Sequence, residues 1–188
     1  LSDGAAPTHY EFDAIRKDHS IVSLQNVVRL VSWEGEPAVQ SVGIDISDRK
    51  RAEAALQYRA QLQELITGMS ARFINLTSRE IDEGIDEALQ EIGTFADVDR
   101  SYVTLFSENF SRLSGRFEWC RDGVKALIDQ TQDMPVELLP WMVEKHKSGQ
   151  IVYVPRLDHL PEQAVVDKER FTQLGIKSLI SIPLVNKG

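Results

Sequence analysis

The sequence predicts an α+β chain: a partial antiparallel sheet, then a long linker helix, then a second antiparallel sheet flanked by helices. Three observations carry that expectation. Residues 9–46 hold three apolar-rich runs with strand-like alternation, separated by turn residues. From Asp48 to about Leu76 there is no proline and a single glycine, Gly68, with charged and apolar residues at helical spacing. From Thr77 onward, helical stretches alternate with short β-rich runs, which places helices against an antiparallel sheet.

Residues 1–8 are small and polar with Pro7, and start no core. Tyr10 to Lys17 and Ile21 to Ser32 read as strands joined at Asp18-His19-Ser20, where His19 needs either an unusual positive φ or a different turn geometry. After the turn Trp33-Glu34-Gly35-Glu36-Pro37, Ala38 to Ile46 completes a meander, with Val39, Val42 and Ile44 among small or polar neighbours. Three strands alone leave one face of a sheet uncovered.

The next element is the long helix. Ser47 is a residue type that caps a helix by accepting from free amides of the first turn. Ala55, Tyr58, Leu62, Leu65 and Met69 follow at spacings of 3, 4, 3 and 4, the seam of a two-stranded parallel coiled coil. Phe73 comes four residues after Met69 and breaks the repeat. A second reading of the same apolar face makes Leu62 to Leu76 the first helix of the following domain, and both fit one continuous helix.

Thr77 to Glu80 has capping-box spacing and opens a helix with Ile81, Ile85, Ala88, Leu89, Ile92 and Phe95 on one face. Ser101 to Phe106 and Leu113 to Cys120 read as strands. Pro140 starts a short helix that Gly149 stops, Ile151 to Val154 is a strand, Pro161 starts a helix that Gly175 stops, and Ser178 to Val185 reads as a buried strand.

Two resemblances follow. Asp45-Ile46-Ser47, continued by Asp48, Arg49 and Lys50 after the meander, resembles the end of a PAS domain running into a signalling helix, with Ser47 keeping the hydroxyl of the family's threonine. Pro140-Trp141-Met142, Gly149-Gln150-Ile151-Val152, Leu160-Pro161 with Glu169-Arg170-Phe171, and above all Gly175 to Leu184 resemble a GAF domain. The resemblances imply a C-terminal PAS part over 1–46, a linker helix over 47–76, and a GAF domain over 62–188 that shares its first helix with the linker. They also imply a piece cut inside a PAS domain and inside a GAF domain.

The PAS resemblance makes Asp45, Ser47 and Arg49 the residues that couple the last strand to the emerging helix. The GAF resemblance places a small-molecule pocket on one sheet face between Arg121 and Arg170, with Trp119, Trp141 and Phe171 as lining aromatics and Arg121 as a polar group; the competing reading of each ring is plain core. Some GAF relatives bind bilins through a cysteine. Cys120 follows Phe117 and Trp119, outside the usual attachment region, and reads as a plain half-buried cysteine.

Composition narrows the classes. A formal net charge of −8 over 188 residues argues against a nucleic-acid surface and against contact with an anionic membrane. One cysteine cannot form an intramolecular disulfide, which fits a cytoplasmic location. His9, His19, His146 and His159 are scattered without metal-ligand spacing, and no glycine loop suited to phosphates occurs, so neither a catalytic nor a metal site is expected and no cofactor is named. The expected role is a sensory and regulatory region of a bacterial-type signalling protein, working as a parallel homodimer through the helix and relaying the binding of a small molecule or a partner to a histidine kinase or a diguanylate cyclase/phosphodiesterase as output. The alternatives are the regulatory region of a transcriptional activator and a ligand-free interaction scaffold.

Overall fold

A computed structural model describes residues 8–184. The chain divides into two compact units, Leu1–Gly68 and Met69–Gly188, so the boundary falls within one long helix.

In the first unit β1 (His9–Ile15), β2 (Ile21–Trp33) and β3 (Glu36–Asp45) form an antiparallel sheet in the order β1-β2-β3. Phe12 pairs with Leu24, and Leu30 with Val39. His19 does take a positive φ, 65°. The Asp18 carboxylate makes this tolerable by accepting from the Ser20 amide at 3.0 Å and the Ser20 hydroxyl at 2.6 Å. The second turn is tighter than the sequence indicated. Glu34 and Gly35 both have positive φ, the signature of a two-residue type I′ turn, so β3 begins at Glu36 and carries Pro37 on a sheet edge, where its missing N–H costs no ladder bond.

The helix α1 (Ser47–Asn75) runs 29 residues without a buried side chain. Ser47 does not cap it. Its Oγ accepts from the Ser23 amide at 3.0 Å instead, and the Asp45 carboxylate accepts from the Ser47 amide at 2.9 Å.

The second unit contains α2 (Ile81–Phe95), β4 (Arg100–Phe106), β5 (Arg112–Cys120), the short β6 (Met134–Pro135), α3 (Pro140–Lys147), β7 (Val152–Val154), α4 (Val165–Gln173) and β8 (Leu179–Ser181). Among the described residues its strands form two antiparallel sheets, β4-β5-β6 and β7-β8, rather than one. Half of the capping box forms: the Glu80 carboxylate accepts from the Thr77 amide at 2.9 Å, while the Thr77 hydroxyl donates to the same carboxylate at 2.7 Å. The buried residues of α2 are Gly84, Ala88, Leu89 and Gly93, whereas Ile81 and Ile92 stay exposed.

The helices α2, α3 and α4 stop in the same way. The residue after the C-cap, Asp97, Gly149 or Gly175, has a positive φ, and two amides reach back to carbonyls of the last turn, as in Ile176 to Phe171 at 2.9 Å and Gly175 to Thr172 at 3.0 Å. Pro161 precedes a 3-10 turn, Glu162–Ala164, and α4 starts only at Val165. The strand expected over Ser178 to Val185 shortens to Leu179–Ser181 and is not buried; Val185 lies outside the described residues. The cause is its environment: β8 pairs only with β7 among the described residues, and Ile180 faces outward opposite the exposed Tyr153.

A bulge shapes β5. Phe117 pairs with Val103 but Gly115 pairs with Thr104, which leaves Arg116 as an extra residue and reverses the side-chain alternation. Leu113 therefore joins the core with α3 and α4, while Trp119 lies against α2.

Candidate functional site

Two regions hold side chains that the sequence marked out. The first is the joint between β3 and α1. Besides the Ser47 amide, Asp45 accepts from the Arg16 guanidinium at 2.8 Å, and the Ile46 amide donates to the Ser23 carbonyl at 2.9 Å. Arg49 reaches Glu11 on β1 at 2.7 Å and Glu53 on its own helix at 3.0 Å, and Lys50 approaches Glu11 at 3.4 Å. The first turn of α1 is thus tied to all three strands. Hydrogen bonds from Ser47, then the charge of Arg16, hold the Asp45 carboxyl below its ordinary range, and the bond from Arg49 does the same for Glu11. These groups are exposed, so each pair orients more than it stabilises.

The second region lies where α3 and α4 cover the strands. Leu113, Met134, Leu139, Met142, Val143, Val152, Val154 and Phe171 form its buried core, with Trp141 and Leu179 packed against it. Asp167, fully buried, organises this layer: its carboxylate accepts from the amides of Trp141 at 3.1 Å and Met142 at 2.9 Å, so a side chain of α4 satisfies the free first turn of α3. Burial pushes the Asp167 carboxyl up, against the pull of the two amides. On β5 the Glu118 side chain accepts from the amides of Leu127 and Ile128 at 2.9 and 2.7 Å and fixes the segment between β5 and β6. From α4, Arg170 donates to the Gln130 carbonyl in that segment at 3.2 Å.

Residues 80–188 match the GAF domain family, which is more than half of the chain. The chain belongs to the GAF domain family. GAF domains are commonly sensory or regulatory domains that bind small molecules. A comparison with curated proteins finds no match.

Within the GAF domain the four residues singled out as pocket lining do not converge. Trp119 packs on Gly93 of α2. Arg121 is engaged at the far end of β5, donating to Asp97 at 2.6 Å and to the Val98 carbonyl at 3.1 Å. Trp141 and Phe171 do come together, as members of the core under α3 and α4. A concavity of about 460 Å³ lies elsewhere, on the outer face of α4, lined by Val165, Lys168, Glu169, Thr172 and Gln173. Cys120 is half-buried, and burial followed by the Glu118 charge raises its thiol pKa, the opposite of what a reactive thiolate requires.

Asp167 escaped the sequence reading although a signal existed. Ala164, Asp167, Phe171 and Leu174 recur at spacings of 3, 4 and 3, which puts the carboxylate on the buried stripe of α4. His146 is similar: it is buried in the last turn of α3, edge-on to Phe106 at 6.2 Å, with a bond to the Ser181 backbone and with Nε2 unpartnered among the described residues.

Among the described residues no helix is long and apolar enough to cross a membrane. The seam residues Ala55, Tyr58, Leu62, Leu65 and Met69 all lie on α1, none of them buried within the chain.

Proposed function

We propose that this chain is the sensory and regulatory region of a bacterial-type cytoplasmic signalling protein, a PAS C-terminal half joined by α1 to a GAF domain. It relays the binding of a small molecule or a partner to an output domain, a histidine kinase or a diguanylate cyclase/phosphodiesterase, and is not itself an enzyme. One observation carries the reading: a GAF domain preceded by a continuous helix whose first turn is bonded to every strand of an upstream sheet. A change in that sheet alters the bonds at Asp45, Ser47 and Arg49, and a helix of this length carries the change as a rotation or a shift. Burying the Ala55 to Met69 seam against a second copy makes the working unit a parallel homodimer, with neither nucleic acid nor membrane as partner.

The test is Asp45→Ala in the full-length protein. The relay reading expects both domains to stay folded while output no longer follows input; unchanged signalling would sink it. A second reading, a GAF domain that acts as an interaction scaffold without a ligand, is favoured by the side chains that fill the layer under α3 and α4. Thermal shifts across nucleotides, haem, flavin and small organic acids separate the two, because a ligand at a hundred times its Kd stabilises the fold by about 2.7 kcal/mol and a scaffold gives a flat response.

A further inference from the structure

The helix α2 is held from two sides by devices of one kind. Gly84 and Gly93 lie nine residues apart, two and a half turns, and so face opposite sides of the helix. At Gly84 the missing side chain makes room for α1: a Cβ there would stand 2.4 Å from Leu76 Cδ1, just beyond the last turn of α1, and 3.7 Å from Phe73. At Gly93 it makes room for the sheet: a Cβ would stand 2.3 Å from Cζ3 of Trp119 and 3.2 Å from the Ser101 hydroxyl.

Polar contacts reinforce both sides. Arg72 of α1 bonds Glu91 at 2.6 Å and Glu87 at 3.3 Å, two carboxylates one turn apart on α2. Toward the sheet, the Ser101 hydroxyl donates to the Leu89 carbonyl at 2.5 Å, and Arg116, the extra residue of the β5 bulge, meets Asp82 at 3.2 Å. The end of α1 is therefore keyed into one face of α2, and α2 is keyed into β4 and β5 through the other.

We infer that α2 is the coupling element by which movement of α1 reaches the GAF sheet, with Arg72 and the Gly84 notch as the input contacts and the Gly93–Trp119 notch as the output contact. A glycine notch filled by a large side chain resists rotation and sliding alike, since either brings backbone against Leu76 or Trp119. The inference gives the relay reading its path into the GAF domain and rests on that reading for its purpose. Its test needs neither ligand nor output domain.

That test is hydrogen exchange, peptide by peptide, on the whole chain carrying Arg72→Glu, and again with Arg72→Glu combined with Glu91→Arg. Arg72→Glu is expected to speed exchange by about threefold or more in α2 and in the β4–β5 ladder around Ser101 and Trp119, to leave α3 and α4 unchanged, and to be reversed by the charge swap. Faster exchange confined to residues 69–76, or spread evenly through 69–184, would overturn the inference and leave the relay reading to its own test. Gly93→Ala supplies a second arm. With the output notch blocked, Arg72→Glu should add less than a twofold change at Trp119, and an undiminished effect would count against the path.

Discussion

The sheet β1–β3 and the layer under α3 and α4 are both built from alternating apolar residues, yet only the second closes. In the sheet, Val22 is the one buried apolar residue of the three strands, and Ile15, Leu30 and Trp33 are each about 70% or more exposed, at 74%, 78% and 69%. In the layer, Val152 is 1% exposed and Phe171 3%. The strand pattern is common to both. What differs is a covering element: α3 and α4 lie on one, and the other shows apolar side chains on its open surface. Burial belongs to the assembly of layers, and a period-2 pattern reports only that a strand has a face to bury.

Substitutions test that contrast directly. Phe171→Ala should cost about 3–5 kcal/mol in chemical denaturation of the whole chain, through lost apolar burial and the cavity left behind. A cost below about 1 kcal/mol would show that the layer is loosely packed and that the two regions differ less than their exposure indicates.

Asp167→Ala should cost about 1–3 kcal/mol, because the amides of Trp141 and Met142 lose their acceptor in a buried place. The carboxyl pKa is raised by burial, so the folded state binds the proton more readily than the unfolded chain does. The stability it contributes therefore falls as pH rises through the carboxylate range. The penalty for Asp167→Ala should accordingly be larger near pH 4 than near pH 7, and a penalty that grows with pH would contradict the assignment.

His146 sharpens the comparison by pH. Burial lowers its pKa despite the Ser181 bond, so the folded state binds fewer protons than the unfolded chain just below the ordinary imidazole range. Stability is full above about pH 6.5 and is lost as pH falls through that range. Melting temperature followed from pH 7.5 to 5.5 should fall further for the native chain than for His146→Gln; equal slopes would remove His146 from the account. The smallest effect belongs to the open sheet, where Trp33→Ala should change stability by no more than about 0.5 kcal/mol.

Much of the element order was legible because its signals are local. The turn at Gly35, the proline-free helix, and the helix stops at Gly149 and Gly175 all stand in the chain within two residues of where they act. What escaped the reading depends on contacts between distant residues. The Ser47 hydroxyl looked like a helix cap but is taken by Ser23, twenty-four positions away. The β5 bulge sends Trp119 to α2 rather than toward Phe171, and nothing in Leu113 to Cys120 announces it. The short, half-exposed β8 shows the same limit, since Ser178 to Val185 reads as a buried strand while its cover among the described residues is β7 on one edge.

The relay account turns on α1 meeting a second copy of itself along one seam. Single cysteines placed along residues 55–69 in a Cys120→Ser background, followed by mild oxidation, test this directly. The account predicts interchain disulfides at Ala55→Cys, Tyr58→Cys, Leu62→Cys, Leu65→Cys and Met69→Cys, and few at Arg59→Cys or Gln63→Cys. An even profile, or one that peaks at Arg59 and Gln63, would contradict it.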